Sequence, residues 1–179
     1  LRVFRQINPG AIAIPLDIHD RRALRRLLRR TGRVGLISIT TPCAPFSTAK
    51  HGGVPLSEDL RAELLVIAVE EASAAGPDAI VIENVVGVAK SPHWKRAKLA
   101  LEEAGYFVEH TNVNAMYLGV AQNRNRFIAT AVRRGLSTQI RMAAKSLTRK
   151  VTRISQVLPN RKTVWHYSRD NRSPCVRSA

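Results

Sequence analysis

The chain has 179 residues, 45% of them hydrophobic, and carries 29 Lys and Arg against 13 Asp and Glu, a formal charge of +16. That size supports one domain around one core, and the charge favours a polyanionic partner such as double-stranded DNA over a basic or neutral one. No apolar run reaches membrane-spanning length and no charged-then-apolar leader is visible, so neither a membrane protein nor an exported one is expected.

Two cysteines, Cys43 and Cys175, stand 132 residues apart with no Cys-x-x-Cys and no His cluster. This predicts no metal site and fits a reducing cytoplasm, with association to the nucleoid if the source is bacterial.

Ala11–Ile18 reads as a short strand, and Arg21–Arg30 as a helix with Leu24, Leu27 and Leu28 on one face and six arginines elsewhere. Val34–Thr40 reads as a buried strand that delivers Cys43. Residues 44–57 contain Pro45, Gly52-Gly53 and Pro55 and read as a loop. Ser57 is the expected cap of a helix running to Ala75, with Glu58 and Asp59 at its positive end. Ala79–Ile82 is a strand leading to Glu83, Pro92–Ala104 a helix, Phe107–Val113 a strand, and Arg126–Val132 the last strand. Regular alternation of strand and helix predicts a parallel α/β sheet, whose ligands bind off the carboxyl ends of the strands. Residues 133–179 hold 12 Lys and Arg and a single acid, Asp170, so +11 of the +16 lies in the last quarter. Trp165-His166-Tyr167 within that basic segment suits stacking on bases or a small packing cluster.

Three groups stand at the ends of apolar runs, about forty residues apart: Cys43, Glu83, and Arg124 with Arg126. Together they suit nucleophilic addition to a pyrimidine. Cytosine C5 is a poor nucleophile until a thiolate adds to C6 and makes the C5 side an enamine. Cys43 supplies the thiol. A carboxylic acid at N3 stabilises the charge that develops in the ring, the role open to Glu83. Two arginines two apart on an extended segment point the same way and can fork onto the base O2 and nearby phosphates. Each group also has a plain alternative. A lone Cys after a strand is ordinarily a small buried hydrophobe, a strand-end Glu a surface acid, and alternate arginines a solvated face. The basic segment, too, is open to reading as a solvated tail or as the arginine drift of a GC-rich genome.

The order of these motifs resembles the DNA cytosine-5 methyltransferase family. Pro42-Cys43, followed by Pro45-Phe46-Ser47, is similar to the family's Pro-Cys nucleophile motif and the start of its mobile catalytic loop. Asp59-Leu60-Arg61-Ala62-Glu63-Leu64 resembles its Asp-x-Arg-x-x-Leu segment, and Glu83-Asn84-Val85-Val86-Gly87 its Glu-Asn-Val-x-Gly motif. Val113–Val120 leads into Gln122-x-Arg124-x-Arg126, as in the family. Asn8-Pro9 and Asp17-Ile18 are similar to the segment beside the adenine of S-adenosylmethionine. The resemblance spans about Asn8 to Arg133. It implies a Rossmann-like S-adenosylmethionine-dependent methyltransferase sheet with Cys43, Glu83, Arg124 and Arg126 as catalytic residues. It further implies Asp17, Ile18 and Leu64 at the cofactor, and Ser47, Gln122, Arg124 and Arg126 at the DNA, with the reaction at home in restriction-modification.

Three departures qualify the match. Ala44 stands where the family usually has Gln. No Phe-x-Gly-x-Gly turn precedes Asp17 to hold the methionine part of the cofactor. The closing Gly-Asn motif is missing, although 169–178 looks like a divergent form of the motif before it. The expectation is a sheet incomplete at both ends, with residues 1–133 a partial catalytic domain and 134–179 a basic segment opening the small, target-recognising region. Such a sheet leaves the strand before Cys43 as an exposed apolar edge, ready to recruit the missing part of its own polypeptide. The alternatives are a non-catalytic DNA-binding methyltransferase remnant and an RNA cytosine-5 methyltransferase, the latter lacking here its Cys-Phe-Thr signature.

Overall fold

The structure is a computed structural model and describes residues 2–47, 55–120 and 122–136. Nearly all of the basic segment, including Trp165-His166-Tyr167, and the middle of the loop after Cys43 lie outside the described residues. The elements in chain order are α1 (Arg2–Ile7), α2 (Arg21–Arg30), β1 (Leu36–Thr40), α3 (Leu60–Ala75), β2 (Ala79–Asn84), α4 (Pro92–Glu103), β3 (Tyr106–Asn114) and β4 (Asn125–Arg133), with short 3₁₀ turns at Ala44–Phe46, Val86–Lys90 and Ala115–Leu118. None of the described helices is long and apolar enough to cross a membrane.

The described strands form one sheet in the order β1-β2-β4-β3. β1 and β2 are parallel, joined through α3. The sheet is nevertheless mixed, not parallel as the alternation predicted, because β4 runs antiparallel to both β2 and β3. The reason is the length of the last connection. Only residues 115–124 separate β3 from β4, too few for a helical crossover, so the chain must turn back. The crossover through α4 leaves a gap beside β2, and β4 fills it.

Two further expectations are corrected. Residues 11–17 are irregular and Ile18 lies in a turn, so the predicted strand Ala11–Ile18 is absent. A strand needs a ladder partner, and residues 11–17 join no ladder of the described sheet. Helix α3 is capped by Asp59 instead of Ser57: the Asp59 carboxylate accepts from the Arg61 amide at 3.2 Å. Pro55–Glu58 forms a turn in front of it, with the Glu58 and Asp59 amides bonded to the Pro55 carbonyl at 3.0 and 3.1 Å. At its other end α3 stops at Gly76, whose φ of 70° is left-handed. Ser91 caps α4 by accepting from the Trp94 amide at 3.0 Å, with Pro92 at the first helical position.

The core lies on one face of the sheet. Ile39, Ile80, Ile82, Ala129, Ala131 and Phe127 pack with Leu65 and Val69 of α3 and Trp94, Ala97 and Leu101 of α4. Trp94 meets Phe127 edge to face at 4.9 Å. β1, expected to be buried, is instead an edge strand of the described sheet, and on its other face Leu36, Ser38 and Thr40 are exposed because no described element covers them.

Helix α2 is ion-paired to α3, mainly through the Glu71 carboxylate. Glu71 is 2% exposed. It accepts from Arg25 Nε and Nη2 at 2.9 and 2.7 Å and from Arg21 Nε at 2.9 Å, while Arg21 Nη2 reaches Glu70 at 2.7 Å. The Arg25 hydrogen bonds, with those of Arg21, outweigh burial and hold the Glu71 carboxyl below the usual carboxylate range. A lowered folded-state pKa contributes stability above the unfolded value and loses it as pH falls through the folded one. Glu71→Gln should therefore reduce unfolding free energy at neutral pH by about 1–3 kcal/mol, the range for hydrogen bonds to charged groups. It should also remove part of the acid-side loss of stability, as measured by urea unfolding between neutral and acid pH.

Candidate active site

β1 and β2 end together. Their parallel register pairs Thr40 with Glu83, and Thr41-Pro42-Cys43 continues from the end of β1. Cys43 is an exposed free thiol, not the buried hydrophobe that an isolated Cys suggests. It opens the 3₁₀ turn Ala44–Phe46, where the Phe46 amide donates to the Cys43 carbonyl at 3.0 Å. Proline at 45 suits the first turn, having no N–H to leave unpaired.

β4 runs the opposite way, so its first residues come to the same end. Ile128 lies opposite Glu83, and Arg126, two residues earlier, shares that face. Arg126 Nε meets Glu83 Oε1 at 2.9 Å, with the two side chains 23% and 32% exposed. Half-buried, the pair is worth on the order of 1 kcal/mol, and it occupies only one carboxylate oxygen. Arg126 Nη1 donates to the Asn125 carbonyl at 2.8 Å, which fixes the guanidinium further.

Arg124 is placed differently from its neighbour. It precedes β4, is exposed, and is held by its backbone: its amide donates to Asn114 Oδ1 at 3.3 Å, and its carbonyl accepts from the Ala115 amide at 3.0 Å. Gln122 is exposed beside it, and Ser47 is half-buried at the exit of the Cys43 turn. Thus Cys43, Ser47, Glu83, Gln122, Arg124 and Arg126 all belong to segments at one end of the sheet, with Glu83 and Arg126 in direct contact.

Two asparagines hold this end together, and neither was singled out by the sequence reasoning. Asn84 is 1% exposed; its Nδ2 donates to the Thr41 carbonyl and Oγ1 at 3.3 and 3.2 Å, and its Oδ1 accepts from the Val85 amide at 2.8 Å. One buried amide therefore ties the exit of β1 to that of β2. Asn114 does the same for the β3–β4 connection, accepting from the Met116 amide at 3.0 Å and donating to Asn123 Oδ1 at 2.7 Å. A signal was available: an amide at the end of an apolar strand must find partners when buried.

The residues expected at a cofactor lie elsewhere. Asp17 is exposed and turns its carboxylate onto its own neighbour, accepting from the His19 amide at 2.9 Å and meeting His19 Nδ1 at 3.2 Å. The amide bond, followed by the imidazole contact, lowers its pKa. Ile18 is half-buried in the turn before α2, and Leu64 is half-buried on α3. A hollow of about 290 Å³ lined by Arg25, Leu28, Arg29, Glu71, Ala74 and Ala75 lies between α2 and α3. It stands toward the amino-terminal end of β2, away from Cys43 and Glu83. Its arginines repel a sulfonium, and its one carboxylate is already engaged by both Arg21 and Arg25. This hollow therefore does not suit S-adenosylmethionine. Among the described residues, no group of three or more His, Cys, Asp or Glu could hold a metal ion.

Comparison with known proteins gives a consistent picture. The family model for C-5 cytosine-specific DNA methylase matches residues 2–174. Among curated proteins, the chain is 26% identical to type II methyltransferase M1.BsuMI of Bacillus subtilis, covering 75% of this chain and 30% of that protein. It is 29% identical to type II methyltransferase M.NaeI of Lentzea aerocolonigenes, covering 68% and 34%. The chain thus spans about a third of the length of these relatives. Among solved structures, a putative DNA modification methyltransferase from an Escherichia coli prophage aligns with a TM-score of 0.63 at 15% identity, covering 92% of this chain and 49% of that one. A Spodoptera frugiperda DNMT2 mutant aligns with a TM-score of 0.57 at 21% identity, covering 76% and 40%. These likenesses show the fold.

The Asn84 tie generates a stability prediction. Asn84→Ala leaves the Val85 amide without its acceptor and the Thr41 hydroxyl without its donor, and should cost about 1–3 kcal/mol. A urea midpoint equal to that of the parent chain would show that the two strand exits do not depend on this amide.

Proposed function

The chain belongs to the C-5 cytosine-specific DNA methylase family, and from that membership we propose that it carries the catalytic segment for methylating C5 of cytosine in double-stranded DNA, with S-adenosylmethionine as donor. The observation that carries this reading is the contact between Glu83 and Arg126 at the strand end beside the exposed Cys43 turn. An acid and a guanidinium held 2.9 Å apart can address adjacent atoms of one pyrimidine edge.

In the proposed reaction the target cytosine leaves the duplex stack, at a cost of roughly a few kcal/mol. Cys43 Sγ, as the thiolate, bonds to C6, and the displaced electron pair of the C5–C6 double bond is delocalised toward N3 and O2. Glu83 hydrogen-bonds or protonates N3. Arg126, fixed against Glu83 Oε1, donates to O2 and keeps the ring over the thiol. Arg124 and Gln122, exposed at the same end, face the phosphates or the strand from which the base has left, with Ser47 on the opposite wall. The donor supplies a methyl group to C5. Loss of the C5 proton and expulsion of the thiolate then restore the aromatic ring. Asp17, Ile18 and Leu64 are assigned the adenine side of the donor site, which the remainder of a longer polypeptide would complete. The basic segment 134–179 is assigned to DNA phosphates and the start of target recognition.

A second reading is a DNA-binding remnant that keeps the charge but no longer methylates. Covalent capture separates the two, and calorimetry tests the donor site. A duplex carrying 5-azacytosine accepts a thiol at C6 without any methyl transfer, and should be trapped covalently by the chain. Cys43→Ser should abolish the adduct, and Glu83→Gln should slow its formation by roughly 10²–10⁴-fold, the usual contribution of a positioned acid or base. An adduct that survives Cys43→Ser would overturn the assignment. Calorimetry with S-adenosylmethionine should show weak or no binding to residues 1–179; micromolar binding would contradict the incomplete donor site.

A further inference from the structure

Gly87 lies four residues after Glu83, in the 3₁₀ turn Val86–Lys90. A Cβ placed on it would overlap the Phe46 carbonyl oxygen and stand 3.3 Å from the Phe46 carbonyl carbon. The glycine is required for space and not for conformation, because its φ lies outside the left-handed range. Phe46 ends the turn that Cys43 opens. The turn after the acid and the turn after the thiol are therefore in close backbone contact at Gly87 and Phe46.

We propose that Gly87 is a positioning residue that couples the Cys43 turn to the Glu83 strand, so that the thiol and the carboxylate are set relative to each other by one close backbone approach. The inference rests on the reading of Cys43 and Glu83 as reacting partners, but its mechanical content does not. Both sides of the contact are anchored. Val88, next to Gly87, is fully buried, and the Phe46 side chain is 6% exposed with its ring edge-on to His93 at 6.0 Å. His93 is itself buried, its Nε2 3.3 Å from Glu63. Upstream, Thr41 is pinned by Asn84. A displacement of the Phe46 backbone bears on the stretch from Thr41 to Phe46, in which Pro42, Cys43 and Ala44 are exposed. The atom in the way is backbone, so no flexible side chain can yield in its place.

The test needs neither DNA nor donor. Gly87→Ala is compared with Gly35→Ala, the same change at a position where a Cβ meets nothing within 4 Å and where Gly→Ala is ordinarily neutral or stabilising. In Gly87→Ala the amides of Phe46 and Ser47 should exchange with solvent faster by about fivefold or more, the low end of what overpacking strain is worth. The pH midpoint for alkylation of Cys43, followed by mass at that cysteine, should move as well. Gly35→Ala should change neither. A folded Gly87→Ala chain with parental exchange at Phe46 and Ser47 and a parental Cys43 profile would overturn the coupling. If Gly87→Ala does not fold, the parent chain decides: the amides of Phe46 and Val88, bonded to the Cys43 and Val85 carbonyls at 3.0 Å each, should open together in native-state exchange under mild denaturant, and independent opening would overturn the proposal. Coupling without a 5-azacytosine adduct would refute the nucleophile and leave the latch, whereas an adduct without coupling would do the reverse.

Discussion

The direction of β4 is the constraint on which the site depends. β4 fills the gap between two strands that point the same way and runs against both. Its first residues therefore reach the end of the sheet where β1 and β2 exit, and Arg126 comes to Glu83 there. Were β4 parallel to its neighbours, Arg133 and Arg134 would stand at that end and Arg126 at the other. The same strand supplies the middle of the core, since Phe127, Ala129 and Ala131 are fully buried between the sheet and α3 and α4. Small residues at 129 and 131 let the helices approach closely, while Phe127 fills the space under Trp94. Core and site are thus alternate residues of one strand: Phe127 faces inward, and Arg126 faces the other side.

Around that strand the polar contacts divide by purpose. Glu71 is buried and wholly engaged by arginines, which makes it an anchor for α2 and nothing more. Asn84 and Asn114 are buried or half-buried amides that satisfy the backbone of the strand exits. Glu83 and Arg126 are only half-buried, and Cys43 is open to solvent. The buried ties lie behind and the groups proposed to react lie in front, the arrangement that holds side chains in place while leaving them reachable.

Much of this was legible in the sequence because periodicity reports burial. The leucines of α2, the apolar runs of β1 and β2, and the Ser91-Pro92 start of α4 place those elements within a few residues of where they lie. The direction of β4 was missed by reading alternation alone, although the ten residues from 115 to 124 are too few for a crossover helix. The strand expected at Ala11–Ile18 failed for a different reason: its composition is strand-like, but a strand is a property of a pair, and the ladder it would join is not among the described residues. Asp59 displaced Ser57 as a cap because both are capping residue types two positions apart, and local sequence does not rank them. Cys43, Glu83 and the arginines were chosen for the chemistry they could share. Asn84 and Gly87 were quoted as parts of a motif, but their work is a buried hydrogen bond and a close backbone approach, neither of which has a period.

The central claim is that Glu83 and Arg126 act as a unit on one ring, and a double-mutant cycle on covalent capture tests it most directly. Glu83→Gln, Arg126→Ala and the double variant are compared for the rate of adduct formation with 5-azacytosine DNA. Contacting residues of this kind are expected to couple by about 0.5–3 kcal/mol, so Arg126→Ala should cost clearly less in the Glu83→Gln background than in the parent chain. Losses that simply add would mean that the carboxylate and the guanidinium act independently, and would contradict the account.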